Sequence, residues 1–227
     1  MSPRAAMIFA AGLGTRMGAL TATRPKPLIE VGGRPLIDQA LDHAKGAGAA
    51  PIVVNVHYLA DQIRTHLARE PVLIADETAG LLETGGGLKA ALPLLGPDPV
   101  WTINSDTAWA GPNPLRALAQ GWRPEMEALL LLVPTARARG YRGMGDFDLD
   151  PTGRLARGTS HVYTGAQILR TEGLAEMPDP VFSLNRLWDR AAGRGGLYGL
   201  VYSGAWCDVG RPENLPLAEN LLRVGAP

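Results

Sequence analysis

The chain has 227 residues, 46% of them hydrophobic and 19% charged. That suits one domain of ordinary to large size with a sizeable core and excludes intrinsic disorder. Its 22 basic and 22 acidic residues cancel, so no basic surface advertises nucleic acid, and a single cysteine, Cys207, excludes an internal disulfide or a cysteine-rich metal site.

The apolar start is broken by Gly12 and Arg16 too early for a secretory signal, and no run is long enough to span a bilayer. A cytoplasmic protein without membrane or nucleic-acid partners is expected. Residues 5–9 are a run short enough for one buried strand. Ala10-Ala11-Gly12-Leu13-Gly14-Thr15-Arg16-Met17 follows, and its glycines let the turn take positive φ and bring backbone N–H groups close to a phosphate. Arg16 adds a planar fork of donors. Lys26, in Pro25-Lys26-Pro27-Leu28, adds a mobile point charge on a backbone stiffened by proline on both sides. A strand, a glycine turn and two cations suit a polyphosphate. A structural turn would explain the glycines but not the cations. A dinucleotide fingerprint would need its third glycine one place before Gly18, and the Gly-Lys-Ser/Thr of a P-loop is absent.

Residues 28–31 are a brief apolar run ending at Gly32-Gly33. Pro35 then opens a helix with Leu36, Ile37, Ala40, Leu41 and Ala44 on one face, stopped by Gly46 and Gly48. Residues 52–56 read as a buried strand, 60–67 as a helix, 72–75 as a third strand and 87–94 as a helix closed near Pro97. A fourth strand over 100–103 ends on Asn104-Ser105-Asp106. Strands and helices alternating at this pace imply an α/β fold, a doubly wound, mostly parallel sheet whose ligands sit outside the carboxyl ends of its strands. The glycine loop and Asp106 are therefore expected to meet.

The second half changes character. A helix is expected over 115–119 and a strongly apolar strand over 128–133, followed by a stretch rich in Gly, Arg and Asp with short β pieces at 147–149 and near Leu155. Residues 162–168 form a further strand carrying Thr164-Gly165. Ser183 caps a helix over 184–191, in which Leu184, Leu187, Trp188 and Ala191 recur at helical spacing. A last strand, 197–202, leads to Trp206-Cys207-Asp208-Val209-Gly210, and Pro212 begins a final helix through Leu222. With no repeat and no flexible linker, residues 1–227 are expected to form a single domain.

Asp106 and Asp208 each follow an apolar strand or its exit, which places two carboxylates at the sheet's functional edge. Facing one loop they could bind a hard divalent cation such as Mg²⁺, which keeps waters while taking phosphate oxygens; each could instead cap a turn. Glu83-Thr84-Gly85-Gly86-Gly87 lies between the third strand and a helix, where glycines again allow close approach and a new helix offers free N–H groups. Asn55-Val56-His57-Tyr58 ends the second strand near the same cleft, and His57 reads as a ligand donor or as a satisfied turn histidine. The four histidines have no metal-ligand spacing. Asp76 and Glu77 read as solvated loop carboxylates, Trp188 as core, and Cys207 as packed rather than reactive.

Ala-Ala-Gly-x-Gly-Thr-Arg-Met, then Pro-Lys-Pro-Leu, then Val31-Gly32-Gly33-Arg34-Pro35-Leu36-Ile37, in this order and spacing, resemble the signature of sugar-1-phosphate nucleotidyltransferases. Asn104-Ser105-Asp106 and Trp206-Cys207-Asp208-Val209-Gly210 look like that family's metal-binding blocks. Gly145-Asp146-Phe147 and Tyr163-Thr164-Gly165 resemble its sugar-contacting segments. Leu82-Glu83-Thr84-Gly85-Gly86-Gly87 is most similar to the branch that uridylylates N-acetylmuramic acid 1-phosphate. Two departures are visible. Gly18-Ala19 stands where the family often has a basic residue and a proline, which loosens the far end of the loop, and Ser105 stands where it usually has glycine, which could crowd the ligand.

The resemblance implies a Rossmann-like, GT-A-like nucleotidyltransferase fold, with a nucleotide-binding half over about 1–110 and a small sugar-binding lobe over about 111–227. It implies transfer of UMP from UTP to a sugar 1-phosphate with release of pyrophosphate, in cell-wall sugar recycling, by a monomer or weak homodimer. Arg16, Lys26 and Asp106 would be catalytic, and Mg²⁺ would sit on Asp106 and Asp208. Ala11, Gly12, Leu13, Gly14, Thr15, Arg16, Asn55, Thr84, Gly85 and Gly86 would hold the nucleotide, and Lys26, Gly145, Thr164, Gly165 and Asn185 the sugar phosphate. Guanylyl or thymidylyl transfer to mannose, heptose or glucose 1-phosphate is the nearest alternative. A non-catalytic nucleotide-sugar-binding regulatory subunit is the alternative of another class, disfavoured because both cations and both carboxylates are present together.

Overall fold

The computed structural model describes residues 2–96 and 99–225. Strand β1 (Ala5–Phe9) runs into a 3-10 stretch, Thr15–Thr21. A second 3-10 turn, Lys26–Leu28, precedes a two-residue hairpin, β2 (Glu30–Val31) and β3 (Arg34–Pro35), and helix α1 (Leu36–Gly46). Then come β4 (Ile52–Val56), α2 (Ala60–His66), β5 (Leu73–Asp76), α3 (Glu83–Leu95), β6 (Val100–Asn104), β7 (Thr107–Ala110) and α4 (Pro114–Gly121). The second half holds β8 (Ala128–Pro134), β9 (Phe147–Leu149), β10 (Leu155–Arg157), β11 (His161–Leu169), α5 (Glu172–Ala175), α6 (Asn185–Gly193), β12 (Leu197–Val201), β13 (Ala205–Asp208) and α7 (Leu215–Gly225).

Strands β5, β4, β1 and β6 lie side by side and all parallel, with Phe9 opposite both Asn55 and Asn104. Their carboxyl ends therefore share one edge. The chain leaves β1 for β4 and β5 on one side and returns to place β6 on the other, which makes the β1/β6 crevice the switch point where such sheets hold ligands. Beyond β6 the sheet turns mixed: β11 is antiparallel to both β6 and β8, and β12 is parallel to β8. The expected mostly parallel sheet thus describes the first half, and the second half is laid onto it through β11.

Alternation along the strands decides which helix covers which face. Ala6 and Ile8 join the core under α1, α2 and α4, with Ile37, Leu41, Ile63 and Leu115. Ala5 and Met7 join the core under α3, α5 and α6, with Leu88, Leu95, Leu174 and Trp188. The five α1 positions picked by spacing are all buried. A third, smaller core forms where Met17 of the glycine loop meets Cys207, Val209 and Leu221. Cys207 is fully buried, and burial pushes its thiol up to about 11, so it packs as expected.

Several boundaries differ from the sequence expectations. Helix α3 starts at Glu83, not Gly87, because the Phe182 carbonyl accepts the N–H groups of Gly85 and Gly86 at 2.8 and 3.0 Å and caps a turn that glycine propensity disfavours. Its closure near Pro97 lies outside the described residues, though Leu95 is its last residue. Helix α1 runs through Gly46, α6 begins one residue later than expected, and α7 follows a 3-10 turn at Pro212–Asn214. Strand β7 and helix α5 have no counterpart in the sequence reading. Among the described residues no helix is long and apolar enough to cross a membrane.

Candidate active site

The glycine loop leaves β1 at the crevice. Ala10 N–H donates to Asn55 Oδ1 at 2.7 Å, which fixes the loop's start. Gly14 has φ +65°, and a Cβ there would stand 3.0 Å from Lys26 Cβ and from Thr21 Cγ2. Only glycine lets the turn that carries Lys26 pass so close. Thr21 Oγ1 donates back to the Gly14 carbonyl at 3.0 Å, and Met17 is buried beneath, so the loop is tied at both ends. Gly18, at φ 57° and ψ −128°, breaks the 3-10 stretch, and its carbonyl accepts the Thr21 hydroxyl at 3.2 Å.

Asp106 follows β6 directly. Ser105 beside it lines the cavity, is buried and turns its hydroxyl back onto the Phe9 carbonyl at 2.6 Å, so it braces β6 against β1. Asp208 arrives by a route the sequence did not disclose. Strands β7 and β13 form an antiparallel ribbon with Thr107 opposite Asp208, and Val209 N–H donates to the Asp106 carbonyl at 3.1 Å. The two acidic residues are thus locked in register by backbone bonds.

Both cations face this pair. Lys26 Nζ lies 2.6 Å from Asp106 Oδ2; the lysine side chain is 8% exposed and the aspartate 31%. Arg16 Nη2 comes within 3.3 Å of the point where a Cβ on Gly210 would stand, two residues past Asp208. Burial opposes ionisation of Asp106, but Lys26 and then Arg16 outweigh it and hold its carboxyl below the usual range. Asp208 goes the other way: burial and then the Asp106 charge raise its carboxyl, and Lys26 and Arg16 offset this only in part. Two hard oxygen donors, one still under like-charge pressure, fit a divalent cation. Among the described residues no cluster of three or more His, Cys, Asp or Glu could hold a metal by itself.

A cavity of about 230 Å³ opens beside these groups, lined among others by Gly12, Lys26, Asn55, Glu77, Thr84 and Asp106. A hollow of about 320 Å³ between Val31, Leu36 and Leu222 contains none of the candidate site residues. Gly12, which lines the cavity, and Leu13 after it are exposed, and among the described residues no hydrogen bond occupies the N–H groups of Gly12, Leu13 or Gly14. The loop can therefore offer donors to an anion.

Other expected contacts are used differently. Asn55 is 3% exposed and both ends of its amide are engaged, Oδ1 by Ala10 and Nδ2 by Glu77 Oε1 at 2.7 Å. It braces the loop, and one of the two hydrogens of its Nδ2 is spent on Glu77. Gly85 and Gly86 give their N–H groups to Phe182, as above, and their missing side chains make room for it: added Cβ atoms would lie 2.4 Å from the Phe182 ring and 2.1 Å from the Pro180 carbonyl. These glycines are needed for packing, and their own N–H groups are not free; among the described residues no hydrogen bond occupies the N–H groups of Glu83 and Thr84, which line the cavity. Thr84 lines the cavity and accepts Leu184 N–H at 3.1 Å. His57 is the satisfied turn histidine, its Nδ1 2.7 Å from the Glu77 carbonyl.

On the sugar side, Thr164 is fully buried and its hydroxyl donates to the Leu131 carbonyl at 2.7 Å, so it cannot reach a ligand. Its carbonyl accepts Trp206 Nε1 at 2.9 Å and so helps seat β13. Gly165, at φ +90° in the β11 bulge, allows the side chain of Asn104 within 2.9 Å of where its Cβ would be. Gly145 N–H points at Tyr141 Oη, 3.3 Å away, and Tyr141 feels the Asp208 charge, so this segment adjoins the acidic pair. Asn185 stands exposed at the first turn of α6 with its amide on Ser183 Oγ at 2.9 Å.

Two buried residues escaped the sequence reading. Glu77 is 3% exposed, not solvated, and lines the cavity. Its place just past the carboxyl end of β5, at the edge where the cavity opens, was a usable signal. Asn214 is buried, and its amide donates to the carbonyls of Gly140 and Asp208, both at 2.9 Å, buckling the Tyr141 segment to β13. No local pattern marks it.

The profile of the MobA-like NTP transferase domain matches residues 6–198. The N-acetylmuramate alpha-1-phosphate uridylyltransferase of Caulobacter vibrioides is 42% identical over 96% of this chain and 96% of its own length. The protein of the same name from Neisseria meningitidis is 34% identical over 95% of this chain and 97% of its own. The crystal structure of HddC from Yersinia pseudotuberculosis complexed with GMP-PN shares the fold, with a TM-score of 0.76 at 22% identity over 97% of this chain and 99% of that one.

Proposed function

The chain belongs to the MobA-like NTP transferase family, and we propose that it transfers UMP from UTP to N-acetylmuramic acid 1-phosphate, releasing pyrophosphate. The observation that carries this reading is the meeting of Arg16, Lys26, Asp106 and Asp208 at one edge of the sheet, beside a cavity roofed by the glycine loop. The two relatives aligned along nearly their whole length, both named for that reaction, support the choice of base and sugar.

No general base is needed. The second pKa of a phosphate monoester is about 6, so the attacking oxygen is already anionic at neutral pH. It forms a bond to the α-phosphorus as the bond to the bridging oxygen breaks, and pyrophosphate leaves with the electron pair. The obstacle is charge and alignment. Loop N–H groups at Gly12, Leu13 and Gly14 would receive the outer phosphates, and Arg16 would neutralise the departing pyrophosphate. Lys26, pre-aimed by Asp106, would draw the acceptor phosphate towards the α-phosphate. Mg²⁺ on Asp106 and Asp208 would supply positive charge to the phosphate oxygens. Gly145 and Gly165 would wall the acceptor side by backbone. We place the reaction in the cytoplasm, in recycling of cell-wall sugar, and expect a monomer or weak homodimer.

A panel of nucleoside triphosphates against sugar 1-phosphates, read by pyrophosphate release, tests this. UTP with N-acetylmuramic acid 1-phosphate should be the fastest pair. Preference for GTP or dTTP with another sugar would replace the substrates, and ligand binding without pyrophosphate release from any pair would overturn the activity.

A further inference from the structure

One buried carboxylate lines the cavity without any part in the transfer just described. Glu77 Oε1 accepts from Asn55 Nδ2 at 2.7 Å, and its Oε2 accepts from Leu82 N–H at 3.1 Å. Asn55 in turn accepts Ala10 N–H at 2.7 Å. A relay of side chains thus runs from the first amide of the glycine loop to the turn that enters α3. That turn carries Glu83 at φ 58°, a region few non-glycine residues visit. Gly87 makes the space, since a Cβ there would lie 2.5 Å from Glu77 Oε1.

We propose that Glu77 is the positioning residue of the nucleotide site, setting both walls of the cavity through Asn55 and Leu82. The inference rests on the reading of that cavity as the nucleotide's. Its logic is one of donors and acceptors. A carboxylate only accepts, and both of its partners here donate; the asparagine between loop and glutamate must therefore point its oxygen at Ala10 and its nitrogen at Glu77. Glu77→Gln forces an NH₂ group against one of two donors and leaves a buried bond unmade. Asn55→Asp creates the opposite fault, two carboxylates face to face. The double variant N55D/E77Q restores alternation. The new aspartate accepts from Ala10 and from the new carboxamide, whose oxygen accepts from Leu82.

The test is calorimetric binding of UTP with Mg²⁺ to the full chain, together with KM, kcat and Tm. E77Q and N55D should each weaken UTP binding roughly tenfold and raise the UTP KM in step, with kcat changed less than about twofold. N55D/E77Q should recover to within about threefold of the wild type, a rescue that a site indifferent to the relay's polarity would not show. Should a single variant fail to fold, the double variant decides: it folds and binds, or the proposal is wrong. UTP affinity unchanged in E77Q, or a double variant no tighter than the weaker single, overturns it. A wild-type protein that binds no nucleoside triphosphate would defeat the nucleotide reading itself, so the two failures are distinguishable.

Discussion

Lys26 and Asp106 show how the site is prepared. A lysine with 8% of its side chain exposed is costly to bury without a counter-charge, and the 2.6 Å contact with Asp106 supplies one. Lys26→Ala should lower turnover by roughly 10²–10³-fold, the scale of losing one preorganised cationic contact. Asp106→Asn should abolish turnover while the chain stays folded, as circular dichroism would report. Near-normal rates in either variant would remove that residue from the chemistry. These residues were legible from sequence because their motifs are local. Thr164, Gly85 and Gly86 were misread, and the bracing role of Asn55 was missed, because their partners, Leu131, Phe182 and Glu77, come from elsewhere in the chain. A sequence displays a donor; it does not display what already occupies it.

At the scale of elements, the strands of the first half were legible from apolar runs and turn glycines, and the five buried positions of α1 from spacing alone. The β7–β13 ribbon was not. Its strands are short and lie far apart in the chain, and their pairing is what brings Asp208 to Asp106. Helix α3 was placed four residues late because glycine signals a break unless a tertiary cap overrides it. That override yields a prediction. On helix propensity alone Gly86→Ala would stabilise the protein by about 1 kcal/mol. The added Cβ would stand 2.1 Å from the Pro180 carbonyl, so a net loss of about 1–3 kcal/mol is expected, lowering Tm by up to about 10 °C. A rise in Tm would contradict the packing role given to this glycine.

Across the whole molecule, the halves share one sheet and a buried seam. Gln167 on β11 donates to Thr102 Oγ1 of β6 at 3.1 Å and accepts Trp188 Nε1 of α6 at 2.8 Å. We expect one cooperative unfolding transition, and two resolved transitions in calorimetry would argue for separate domains. Stability should also depend on pH through His43. Burial lowers its pKa from 6.5 to about 4 against a smaller opposing effect of Asp42, and its Nε2 is buried beside Trp109 with no hydrogen-bond partner among the described residues. Between those values the unfolded chain binds the proton and the folded one does not. The neutral ring's contribution is therefore complete above pH 6.5 and is lost as pH falls towards 4, by at most about 3 kcal/mol. His43→Phe should flatten the fall of Tm between about pH 7 and 5, and an unchanged slope would exclude His43 as its source.

The zero net charge of the chain leaves phosphate attraction to local placement, and the acidic pair is where that placement is most exposed to test. The decisive measurement is titration of Mn²⁺ into the protein with UTP present, followed by electron paramagnetic resonance, for wild type, Asp106→Asn and Asp208→Asn. The wild type should hold a protein-bound Mn²⁺ with nucleotide, weakened at least about tenfold in each variant. Wild-type affinity in both variants would contradict it.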